Sequence, residues 1–403
     1  MHTHTVNIAD INTRLDHLGA TTVKLAGMVG LGGLLAAIAM GFFLPEGLNR
    51  FFHSYLVSYM FVLSLSLGAL FFVMLQHLTH AGWSVVVRRL AEMVAANIPM
   101  LVVLFIPVLL GMGYLFHWIH PEVVAADPLL QSKKPYLNIP FFFVRCIAYF
   151  AIWWLLSWTM LDKSVKQDET GDPNLTLKME KVSTFGMILF GLSLTFAAFD
   201  WLMSLTPHWY STMYGVYYFA GSLCGFIALM IILSFLLQKK GCLLHAITRE
   251  HYHDLGKLLF AFLFFWAYIG FSQYMLMWYA NLPEETLWIL HRQEGQWKWV
   301  SLLLLFGHFV IPFLGLLSRY PKRRKAVLCG WAVWMLLMHY IDLYWLVMPQ
   351  FQQGTVPLHV IDLATFAGVA GLYVAGLVYI AKKRSLLAIK DPRLQESLTF
   401  ENA

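Results

Sequence analysis

Residues 52–78 read FHSYLVSYMFVLSLSLGALFFVMLQHL, a run of 27 positions without an Asp, Glu, Lys or Arg. A hydrocarbon core of ~30 Å needs about 20 consecutive apolar helical residues, so this run is long enough to cross a membrane. Working outward from it, comparable runs occupy 23–44, 95–117, 138–161, 182–203, 213–237, 256–280, 299–318, 325–348 and 359–381. Of the 403 residues, 59% are apolar and 12% charged, against about 25% charged in an ordinary soluble domain. A soluble fold is excluded, and the reading is an all-α polytopic membrane protein with about ten transmembrane helices. Residues 1–22 form a polar N-terminal segment, 23–381 the transmembrane domain and 382–403 a polar tail. The first run, Val23 to Leu44, is too long for a signal-peptide core and reads as an uncleaved span.

Charge orients the spans. Ten crossings put both termini on one side, and the segments expected there hold 22 of the 28 Lys and Arg residues. The opposite loops hold Arg50, Lys133, Lys134, Arg292 and Lys298, while Arg145 lies inside the fourth run. The positive-inside rule then places both termini in the cytoplasm. Basic residues distributed in this way are topology signals, not a nucleic-acid surface. Trp118, Trp201, Trp209, Trp278, Trp288, Trp297, Trp299 and Trp345 gather near the other face and read as an interfacial belt. The stretch 162–181, with both charge signs and Gly171-Asp172-Pro173, reads as a solvated loop.

Cys146, Cys224, Cys242 and Cys329 are widely separated, so no disulfide framework, CxxC metal site or CxxCH haem attachment is expected. No span carries the pair of histidines 13 or 14 apart that a haem b site would use. Gln76-His77 and Gln238-Lys239 both close a span before a basic stretch, which hints at two four-helix units formed by spans two to five and six to nine. Gly221 and Gly225 form a GxxxG, and Gly27, Gly30 and Gly33 a glycine stripe, both suited to close helix approach.

Ionisable groups inside a membrane cost ~2.5–3.5 kcal/mol on insertion scales and are functional candidates by default. Arg145, Asp200, His308, His339, Asp342 and Asp362 lie between mid-membrane and the outer boundary. Arg145 also suits an ion pair, and Asp200 and Asp362 suit helix capping. His339 and Asp342 are three apart and share a helix face, which makes a hydrogen-bonded proton site. Pro312 cannot donate to the carbonyl of His308, leaving an acceptor for water. The inner half offers only Gln76, His77 and Lys257 with a few hydroxyls, Glu92 standing at the interface. The aromatic residues read as packing or lipid-facing and define no quinone pocket by themselves.

Longer motifs carry a family resemblance. Residues 200–221, DWLMSLTPHWYSTMYGVYYFAG, and 296–302, QWKWVSL, running on to Gly307-His308, resemble alternative complex III. So do 76–85, QHLTHAGWSV, with Arg88-Arg89, then 278–285, WYANLPEE, and 338–349, MHYIDLYWLVMP; together they resemble the F subunit of that complex, a subunit of the polysulfide-reductase membrane type. The resemblance runs from about Gln76 to Asp362. It implies two four-helix bundles plus two flanking helices, in a quinol:electron acceptor oxidoreductase whose family labels this a second quinone-binding subunit. It further implies that haem c and iron–sulfur clusters sit on partner subunits, and that proton half-channels run through the bundles. The residues here in matching motifs are Asp200, His308, His339 and Asp342. Implied partners are a quinol-oxidising membrane subunit of the same type, an iron–sulfur protein, multihaem and monohaem cytochromes c, lipids and a terminal oxidase. The expected function is a non-redox subunit that supports its quinol-oxidising neighbour and supplies a polar path on the periplasmic side. The alternative is a stand-alone ion-coupled transporter, whose signature is a midplane site between broken helices.

Overall fold

The computed structural model describes residues 11–402. Among these, ten helices are long and apolar enough to cross a membrane: spans 1 (Leu18–Phe43), 2 (Gly47–Leu78), 3 (Val85–Leu110), 4 (Ile139–Thr170), 5 (Asn174–Leu205), 6 (Tyr214–Lys239), 7 (Arg249–Ala280), 8 (Trp297–Leu317), 9 (Lys325–Phe351) and 10 (Val360–Ala381). No strand forms among the described residues. Only helices with their backbone bonds satisfied internally suit this composition in lipid. Spans 2–5 pack as one four-helix bundle and spans 6–9 as a second, while spans 1 and 10 pair along their length and flank span 2. The bundles meet through spans 2 and 6, the first helix of each.

Both ends of the described chain lie at one face. Leu243 and Leu386 donate backbone N–H groups to the carbonyls of Asn12 and Thr13 at 3.0 and 2.8 Å. In the tail, Ser397 donates to the Trp83 carbonyl at 2.6 Å and Lys390 to that of Glu169 at 2.6 Å. The loops that carry most of the positive charge therefore share a face with the two ends. Residues 1–10 of the expected N-terminal segment, and Ala403, lie outside the described residues.

Three local expectations change. The solvated loop at 162–181 is mostly helix: span 4 continues to Thr170 and span 5 starts at Asn174. Gly171 closes span 4 in the left-handed conformation, φ 71°, which glycine adopts at little cost. Span 3 begins ten residues earlier than hydropathy suggested, because Arg88, Arg89 and Glu92 find partners inside the protein. The tryptophan belt is largely internal, with Trp118, Trp201, Trp209, Trp288 and Trp297 buried and only Trp278 and Trp299 strongly exposed. Their rings fill aromatic clusters, such as Trp209 stacked on Trp288 at 4.3 Å, instead of meeting headgroups.

The glycine stripe works where span 1 meets span 10. A Cβ at Gly33 would stand 2.7 Å from the backbone nitrogen of Gly368, and one at Gly371 would stand 2.6 Å from that of Gly30. Gly27, by contrast, faces nothing within 4 Å. Without a hydrophobic drive between helices in lipid, such backbone contact supplies the packing energy. Gly33→Leu is expected to destabilise the protein by about 1–3 kcal/mol through overpacking, seen as a lower melting temperature in detergent, whereas Gly27→Leu should leave it unchanged.

Candidate functional site

The second bundle holds a carboxyl group at its centre. Asp342, on span 9, is 2% exposed, and its oxygens accept from Tyr217 Oη at 2.5 Å and Trp266 Nε1 at 3.1 Å. Both donors are neutral and come from spans 6 and 7. Buried carboxylates are normally paired with a cation; this one is held by hydrogen bonds alone, so it can hold or release a proton without breaking an ion pair.

His339, one turn before Asp342, points elsewhere. Its Nε2 lies 2.8 Å from Ser64 Oγ on span 2, and Nδ1 is buried without a partner. The expected hydrogen bond to Asp342 does not form, because the imidazole enters the notch made by Gly221 and Gly225. A Cβ at Gly225 would stand 2.7 Å from its Cδ2. The GxxxG thus makes room for a ring as well as for a helix.

His308 lies across Trp266, ring centroids 3.8 Å apart and planes at 26°, with both nitrogens buried and unpartnered. It sits in a π-helical stretch, Leu304–Val310, and such stretches often mark functional sites. The wider turn also moves the effect of Pro312. In an i→i+5 register, the carbonyl deprived of a donor is that of Gly307, not His308, and Trp334 Nε1 supplies it at 2.7 Å. Trp266 therefore links the two acid–base candidates, one edge bonded to Asp342 and one face under His308.

Arg145 and Asp200 form a separate site in the first bundle. The guanidinium donates from Nε and Nη2 to the carboxylate at 2.7 and 2.9 Å. Tyr149 Oη adds a third donor at 2.7 Å, and Arg145 stacks on the ring of Tyr136 at 3.9 Å. Every strong valence is used, as in a structural ion pair. Asp362 instead organises the start of span 10: it accepts from the His359 backbone at 3.0 Å and from Ser54, with Arg50 4.0 Å away. The structure thus gathers His308, His339 and Asp342 and sets Arg145, Asp200 and Asp362 apart from them.

The half nearer the two ends of the described chain, read from the sequence as the inner one, is better furnished than expected. Glu92 is 1% exposed and lies 3.1 Å from Arg89 and 3.5 Å from Arg88. Arg89 also pairs with Asp168 at 2.8 Å, and Arg88 with Asp391 of the tail. Gln76 and His77 are buried beside this end of span 2, each with one unpartnered atom. Lys257 is exposed and pairs with Asp254 and with Asn402. Sequence reading missed the inner acid because hydropathy alone placed Glu92 outside span 3. Tyr217, Trp266 and Ser64 were also missed as site residues; the only signal was a hydrogen-bonding tip on an aromatic ring inside an apolar run.

No group of three or more His, Cys, Asp or Glu placed to hold a metal occurs among the described residues. Neither a scan of protein-family models nor a search of curated proteins returns a match for this chain. Arg145→Leu is expected to cost about 3–5 kcal/mol, since it strands a buried charge, and Arg145→Leu with Asp200→Leu to recover most of that; thermal unfolding in detergent measures both.

Proposed function

We propose that this chain is a non-redox membrane subunit of a respiratory quinol:electron acceptor oxidoreductase of the alternative complex III type, in the bacterial inner membrane with both termini cytoplasmic. In this reading it packs beside a quinol-oxidising subunit of the same kind, and cytochrome c and iron–sulfur partners carry the electrons. Its own contribution is a proton path, chiefly through the periplasmic half of the second bundle. The observation that carries the reading is Asp342, buried without a counter-cation and bonded to Tyr217 and Trp266, with His308 stacked on the same indole.

The polar groups form a short ladder. Tyr214 stands three residues before Tyr217 on span 6, and the two are adjacent in electrostatic range of Arg292 near the outer end. From there Tyr217 bonds Asp342, which bonds Trp266 beneath His308; His339, bonded to Ser64, stands one turn from Asp342 with no hydrogen bond to this group. A proton released by quinol oxidation next door would need such titratable steps to reach water. The inner group of Arg88, Arg89, Glu92, Asp168 and Asp391 belongs to the first bundle, and its ion pairs suit a structural clamp on the tail. Path and clamp thus occupy different bundles, which favours a half-path over one continuous channel.

Asp342→Asn and His339→Ala are expected to leave the complex assembled while lowering quinol oxidation by about tenfold or more, or shifting its pH dependence. Steady-state turnover of the purified complex across pH tests this, and normal rates at every pH in both variants would remove these residues from the mechanism. Substrate uptake by the isolated chain in liposomes would instead support an ion-coupled transporter.

A further inference from the structure

Spans 7 and 8 touch through aromatic rings toward the basic face, where Phe260 and Phe264 meet Phe313 at 5.2 and 6.3 Å. Farther along they part, leaving a cleft of about 700 Å³, within the usual range of small-molecule sites. Its walls are apolar, with Ala267, Gly270, Leu302 and Leu305 among them, and Tyr217 and Trp266 form part of its lining. Phe271 and Leu305 on its margin are strongly exposed, so the cleft opens sideways toward lipid.

At the outer end the lining changes character. Arg292, from the short helix Pro283–Gln293, is 1% exposed, yet its three hydrogen bonds go to the carbonyls of Trp288, Trp345 and Leu346. Its plane lies 3.6 Å from the Trp288 ring. Burial pushes its pKa down to about 9, still well above neutral pH, so it remains a cation. Lys298, also lining the cleft, is exposed and rests 5.1 Å from the Trp299 ring. Neither forms an ion pair among the described residues. A guanidinium has five N–H donors, so Arg292 retains capacity beyond its three bonds. An apolar slot open to lipid and ending at two unneutralised cations is complementary to an amphiphile with an anionic head.

We propose that this cleft is a specific site for one anionic phospholipid of the outer leaflet, its phosphate held by Arg292 and Lys298 and one acyl chain lying between spans 7 and 8. A neutral quinone would leave both cations uncompensated, and a free phosphate would leave the apolar walls unfilled. The site requires neither Asp342 nor either histidine, although Tyr214, Tyr217, Trp266 and Arg292, which line it, also border the outer end of the proton path.

The test uses the full chain purified in detergent and incubated with an equimolar mixture of phosphatidylglycerol and phosphatidylcholine of identical acyl chains. Native mass spectrometry then counts retained lipid. One phosphatidylglycerol should be retained with about tenfold preference or more, and Lys298→Gln should weaken that retention about fivefold. Ala267→Phe, which fills the slot without touching either cation, should abolish retention in a protein whose melting temperature is unchanged. Arg292→Gln should also lose it, but Arg292 ties down three carbonyls, so the other two variants carry the decision. Equal retention of the two lipids, undiminished retention in folded Ala267→Phe, or displacement of the lipid by inorganic phosphate or by a neutral quinone would overturn the proposal.

Discussion

Span 2 has almost no surface of its own. Nearly all its side chains, His53, Gln76 and His77 included, are buried against spans 1, 3, 5, 6, 9 and 10. A helix enclosed in this way inside a membrane shows its polar atoms to neither water nor lipid, so most are met by protein partners, while Tyr59 Oη, Gln76 Oε1 and His77 Nε2 stay buried without one. Much of the architecture follows from that constraint. Tyr55 donates to the Leu104 carbonyl on span 3, Ser54 to Asp362 on span 10, and Ser64 lies against His339 on span 9. These cross-links connect the first bundle, the second bundle and the flanking pair through one helix.

The two bundles treat buried charge differently. In the first, Asp200 meets a bidentate arginine and a tyrosine, and Glu92 meets two arginines, so each acid is neutralised where it lies. Such pairs fix geometry and cost stability when one partner is lost. In the second, Asp342 has neutral donors only, His308 has no hydrogen-bond partner, and Arg292 has no anion. Uncompensated groups of this kind are expensive to bury and are functional candidates by default. The contrast is one of degree, since Asp254 of the second bundle pairs with Lys257 and His77 of the first keeps an unpartnered nitrogen; the bundles join where spans 2 and 6 pack and where His339 meets Ser64.

The fold was legible in the sequence because hydropathy and charge act over whole spans. A run such as 52–78 admits one structure in lipid, and the bias of Lys and Arg toward one set of loops matches the face at which Asn12, Leu243, Leu386 and Ser397 meet. Side-chain direction was not legible. Helical spacing put His339 and Asp342 on one face, yet three residues apart still leaves about 60° between them, enough to aim one ring at Gly225 and the carboxylate at Tyr217. Partners distant in the chain decided the rest: Glu92 lies deep because Arg88 and Arg89 neutralise it, and those arginines are held in turn by Asp391 and Asp168, while Trp266 bonds Asp342 through a nitrogen that hydropathy does not register and lies under His308 with its ring. Arg292 read as a loop charge because nothing local shows that Trp288 and Trp345 enclose it.

As proposed above, this chain works as part of a redox complex whose electron carriers lie on other subunits. Extraction of the tagged protein in mild detergent tests that proposal most directly, followed by a visible spectrum and peptide mass spectrometry of what migrates with it on a native gel. A haem c spectrum is expected, with peptides from a large iron–sulfur subunit and from a second membrane subunit of the same type. A colourless chain that survives extraction alone and intact would contradict the proposal.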